Sequence, residues 1–90
     1  MILLLERLVK DISFNEAVSL SINDEQRYIR CTNFFSTTYI QIRREDNSLI
    51  FRFVEISENL DVLDEGPWED RININDILDN NWSVYRATIG

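Results

Sequence analysis

Histidine is absent from this 90-residue chain, and cysteine, proline, methionine and lysine occur once each. Without histidine there is no imidazole base, no Ser–His–Asp triad and no standard zinc site. With Cys31 alone there is no internal disulfide, which fits a reducing cytoplasm, and no histidine stands ready to activate the thiol. Of the two glycines one is the C-terminal residue, so a glycine-rich phosphate loop is excluded. Long apolar runs are missing as well. MILLLERLVKD breaks its run at Glu6, too soon for a secretory signal, and no stretch nears the roughly 18–20 apolar residues that span a bilayer. The expectation is a cytoplasmic chain that does not enter a membrane.

What is present can fill one modest core. Apolar residues make up 44% of the chain, with ten aromatics and twelve isoleucines, which argues against disorder and for strands. Ninety residues, 1–90, form a single small acidic domain burying roughly 60–70% of its unfolded surface. Eight of the nine basic residues are arginine, the side chain best suited to bidentate ion pairs.

The net charge of −7 is concentrated in one place. Residues 55–79, EISENLDVLDEGPWEDRININDILD, hold nine acids against Arg71, whereas residues 1–54 balance seven against seven. Two carboxylate chemistries bear on this segment. A glycosidase needs a carbohydrate cleft that ninety residues hardly build. A twelve-residue calcium loop from Asp61 fails at position three, Leu63, and at position twelve, Ile72, where a bidentate glutamate belongs. No metal, cofactor or catalytic residue is assigned, and the chain is read as a non-enzyme.

Taken in order, residues 2–12 carry Leu4, Leu5, Leu8 and Ile12 at helical spacing, opposite Glu6, Arg7, Lys10 and Asp11. An N-terminal amphipathic helix is expected. Val18, Leu20 and Ile22 then alternate with serines, and 23–26 reads as a turn into a strand bearing Ile29 and Cys31, a first hairpin. A second hairpin runs from Thr38 to Arg43, turns at Asp46-Asn47 and returns from Leu49 to Ile56. Its register sets Ile42 against Phe51 and Ile40 against Phe53, with Tyr39, Gln41 and Arg43 facing Val54, Arg52 and Ile50. Phe34 and Phe35 are adjacent, so a strand cannot turn both inward, and one of them is a partner anchor or a loop plug. A short helix from Asn73 or Asn75 through Leu78 precedes a last strand, Trp82–Ile89. The fold class is therefore α+β: an N-terminal helix packed on a four- to five-stranded antiparallel sheet, with a short helix before the last strand.

Two surfaces carry the functional reading. Tyr28, Arg30, Tyr39, Gln41, Arg43 and Arg52 share the reverse sheet face. That face is a single-strand nucleic-acid platform, a solvated face, or one neutralised by the chain's own acids. The low pI and the acidic segment weigh against direct nucleic-acid binding. In the segment itself, Glu58, Asp61, Asp64, Glu65, Trp68, Glu69 and Asp70 form the expected partner-binding site. The acids steer a basic protein surface, on a nucleic-acid-binding enzyme or a toxin, and Trp68 anchors it or else plugs back onto the core. In size and charge the chain resembles phage-encoded anti-restriction and anti-CRISPR proteins, which implies a nucleic-acid-mimicking inhibitor of antiviral defence. An immunity protein against a cognate toxin would ask for the same surface. Small acidic secretion chaperones resemble the chain at the same coarse level.

Overall fold

The computed structural model describes residues 3–24, 26–57, 62–69 and 80–89. Within them lie six strands and one helix: β1 Leu3–Ile12, α1 Phe14–Ser21, β2 Arg27–Cys31, β3 Thr38–Glu45, β4 Ser48–Ile56, β5 Val62–Glu65 and β6 Trp82–Ile89. The strands make one antiparallel sheet in the order β1-β6-β2-β3-β4-β5. Strands β2 to β5 form a four-stranded meander. The last strand, β6, inserts between β1 and β2 and ties the N-terminal strand to the rest. The expected helix before β6 falls outside the described residues.

The β3–β4 hairpin has the expected register, with Ile42 opposite Phe51, Ile40 opposite Phe53 and Gln41 opposite Arg52. Its two-residue loop closes through Asp46, which takes a positive φ of 53°, the local twist that short hairpin loops require. Strand β6 also matches its alternation: Trp82 and Val84 lie opposite Cys31 and Ile29, while Tyr85 stands opposite Tyr28 on the other face.

The N-terminal half departs from expectation in two places. Residues 3–12 form an edge strand, not a helix. Ten residues of β1 face eight of β6, so two extra residues must be accommodated, and the register shifts between Arg7 and Val9 and again between Val9 and Ile12. Each bulge adds one residue to the spacing of two. Val9 and Ile12, three apart, therefore share the core face opposite Val84 and Trp82, and the pattern imitates a helix. Asp11, at φ 57°, sits in the second bulge.

The second departure is the segment expected as the first strand of a hairpin, Val18 to Ile22. Val18 to Ser21 belong to α1 and Ile22 is its C-cap, and β2 pairs with β3 and β6 instead. The start of the helix is encoded in Ser13-Phe14-Asn15-Glu16, a capping box. The Ser13 hydroxyl accepts the Glu16 N–H at 3.2 Å and lies 3.3 Å from its carboxylate. Phe14, Ala17 and Ser21, at steps of three and four, are the buried face. The alternation of Val18, Leu20 and Ile22 with serines is incidental to it.

The core lies between α1 and one sheet face. It contains Phe14, Ala17, Ile29, Cys31, Ile40, Ile42, Phe51, Trp82 and Val84, with Cys31 and Trp82 fully buried. Phe14 meets the edge of Trp82 at 5.0 Å between ring centroids and reaches Phe51 at 6.0 Å. No described helix is long and apolar enough to cross a membrane.

Candidate functional site

The acidic segment enters the described structure as a ribbon along the outer edge of β4. Val62 pairs with Ile56, Asp64 with Glu55 and Glu65 with Val54. Gly66 then donates its N–H to the Phe53 carbonyl at 2.8 Å, and Glu69 exchanges both backbone bonds with Phe51 at 2.6 and 2.7 Å. Gly66-Pro67 is thus a bend in a strand-like ribbon, with three ribbon residues, Gly66 to Trp68, set against two of β4. Glycine eases the close approach at the bend: a Cβ on Gly66 would stand 3.2 Å from the Phe53 carbonyl oxygen, so a larger residue would need the backbone to give by a few tenths of an ångström. Pro67, which has no N–H to offer, falls on the outer strand of the sheet, where it blunts pairing with another chain.

Alternation along the ribbon sends its acids to opposite faces. Glu65 and Trp68 turn to the reverse face, where they meet the arginines. Arg52 donates from Nε to Gln41 Oε1 at 2.7 Å and pairs through Nη2 with Glu65 at 2.6 Å. Its guanidinium lies 4.6 Å from the centroid of the Trp68 ring, and that of Arg43 lies 5.7 Å from the same ring. The third reading of this face therefore applies to Arg52: the chain's own acidic segment neutralises it.

The tyrosines of that face close on one another. Tyr39 meets Tyr28 and Tyr85 edge-on at 6.3 and 5.4 Å, and Arg30 covers Tyr39 at 5.6 Å. Burial raises the Tyr28 hydroxyl above its ordinary value of 10.0, and the Glu65 carboxylate raises it further. Burial also raises Tyr39, with Tyr85 adding to the effect. Tyr39 is thus flanked by both other tyrosines and covered by Arg30.

On the helix-side face the ribbon presents Asp64 and Glu69, both exposed. Asp64 stands directly opposite Glu55, a like-charge pair that is destabilising in isolation. Glu55 is held by two hydroxyl donors, Thr37 Oγ1 at 2.8 Å and Thr38 Oγ1 at 2.9 Å.

Of the seven residues expected to bind a partner, Asp64, Glu65, Trp68 and Glu69 are placed, and Glu58, Asp61 and Asp70 lie outside the described residues. The structure divides the four. Glu65 and Trp68 engage Arg52 within the chain, and Asp64 and Glu69 face outward beside Glu55 and Phe53. The sequence sets Arg52 on the reverse face, with neutralisation by the chain's own acids among the readings of that face, but it does not give Arg52 as the hub or Glu55 and Phe53 as neighbours of the exposed acids. The hairpin register already placed Arg52 at the edge of the reverse face, which was the available signal. Compared with protein families, curated proteins and solved structures, the chain matches none.

Proposed function

We propose that the chain is a non-catalytic inhibitor that binds a basic protein surface, of the nucleic-acid-mimicking, anti-defence kind. The observation that supports this reading is the held acidic edge. Asp64 and Glu69 are exposed on a ribbon hydrogen-bonded to β4, with Glu55 fixed beside Asp64 by two threonines. Along β4 the positions opposite them, Glu55 and Phe51, are four residues apart, or roughly 14 Å at strand spacing. Carboxylates carried on a paired strand are pre-positioned, so a basic channel that ordinarily takes phosphates could bind them with little ordering cost. Glu65 and Trp68 brace the ribbon from behind.

The test is affinity purification of the tagged chain from its host at low and high salt, followed by titration of the co-purified protein. A nuclease or other nucleic-acid enzyme is expected, bound more weakly as salt rises and displaced by DNA. Asp64→Asn with Glu69→Gln should weaken it further. Affinity indifferent to both salt and these amides would overturn the reading, and a toxin as the partner would assign an immunity function instead.

A further inference from the structure

Among the described residues, the helix-side face is only partly covered. An eight-residue helix is about 12 Å long, and α1 packs on β6 and β2. Phe51 of β4 is still reached by Phe14 and is buried, but Phe53, two residues on along the same face, is 41% exposed. Its neighbour on the ribbon is Gly66, which has no side chain to cover the ring from the outer side. Phe34 packs on Phe53 at 6.0 Å and is backed by Trp82 at 5.4 Å. Phe35 follows at 85% exposure.

The turn that carries Phe35 is firmly held. Thr38 donates to the Phe35 carbonyl at 2.9 Å and Phe34 to that of Cys31 at 3.0 Å, while Arg30 Nη2 reaches the carbonyls of Phe34 and Phe35 at 3.1 and 3.0 Å. The backbone that carries Phe35 is therefore fixed before any partner arrives, which lowers the ordering cost of binding.

Carboxylates frame the patch on the same face. Along β4 Phe53 lies between Glu55, with Asp64 opposite it, and Phe51, with Glu69 opposite it. Each step is roughly 7 Å. Spread in this way, they do not converge as a group of metal ligands among the described residues. An aromatic face with carboxylates beside it recognises a planar organic cation: guanidinium stacks on the ring and its N–H groups reach the acids. The chain uses the same combination internally on the reverse face, where Arg52 lies over Trp68 and pairs with Glu65.

We infer that the Phe53–Phe34–Phe35 patch, framed by Glu55, Asp64 and Glu69, is the contact surface for an arginine-bearing segment of the basic partner. This rests on the reading of the chain as a binder of basic protein and names where and through which side chain it binds. The test is an NMR titration of the isotopically labelled full chain with a blocked arginine–glycine peptide and with its lysine counterpart, at low salt. Shifts should concentrate at Phe53, Glu55, Asp64, Gly66 and Glu69 and at the Phe35 ring, and the lysine peptide should bind several-fold more weakly. Phe53→Leu keeps apolar bulk without a π face and should lower affinity about 2- to 5-fold, the range of an exposed cation–π contact. Phe35→Ala supplies a second variant at a residue the core does not use. Salt-sensitive shifts located elsewhere on the chain, or arginine binding unaltered by both variants, would overturn this site and leave the acidic-binder reading standing. Absence of binding by either peptide would overturn this site, while affinity purification at low and high salt decides the acidic-binder reading separately.

Discussion

Arg52 holds the acidic ribbon to the sheet, and removing it should loosen the ribbon by a predictable amount. Its Nε bond to Gln41, whose side chain is buried, is a hydrogen bond from a charged donor, a class worth about 1.5–3 kcal/mol. The pair with Glu65 is half exposed on the acid's side and, screened by solvent, contributes at most about 1 kcal/mol. Stacking on Trp68 adds about 0.5–1 kcal/mol. These contributions share one guanidinium and do not simply add, so Arg52→Ala should cost about 2–4 kcal/mol. Arg52→Lys keeps the charge but not the planar fork and should recover less than half of that. Urea unfolding followed by tryptophan fluorescence measures the loss from the shift in midpoint, provided the slope is unchanged. Hydrogen exchange at the Gly66 and Glu69 amides, both bonded to β4, should accelerate in parallel. A loss under about 0.5 kcal/mol, the ordinary range for surface substitutions, would refute the assignment of Arg52 as the ribbon's clamp.

Three further outcomes follow from the packing. Phe34→Ala removes a ring set between Phe53 and Trp82 and should cost about 2–3 kcal/mol in thermal or urea unfolding, while Phe35→Ala should stay within about 0.5 kcal/mol. Ser13→Ala takes away the cap of α1 and should lower stability by about 1 kcal/mol, read by circular dichroism on urea titration. Tyr28 and Tyr39 bind their protons more tightly folded than unfolded. Their contribution is thus fully present below pH 10 and is lost as pH rises through their elevated folded values. Stability measured from pH 9 upward should fall, and Tyr28→Phe with Tyr39→Phe should flatten that decline.

Legibility followed the range of the interactions. The β3–β4 hairpin was readable because its register depends on a two-residue loop and a period-two pattern, both local. Ile29 with Cys31, and Trp82 with Val84, could each be set on one face of their strand because unbroken alternation assigns a shared face without naming the neighbouring strand; which face is interior is decided by the packing of α1. The capping box at Ser13–Glu16 was equally local, and the serine alternation that follows it obscured the helix. Residues 3–12 could not be read in the same way. Their bulges are defined against β6, seventy or more residues away, and without that partner the steps of three and four look helical.

The acidic ribbon shows the same division. The sequence alone established that the excess negative charge lies in residues 55–79, and that the chain has no imidazole, a single thiol and two glycines. It could not separate Glu65 from Asp64, adjacent and chemically alike, because only pairing with β4 turns one toward Arg52 and the other toward Glu55. Nor could it tell that Phe53, patterned for the interior, would be left exposed. That depends on where an eight-residue helix ends and on a glycine in the facing ribbon, and both are properties of the assembled sheet.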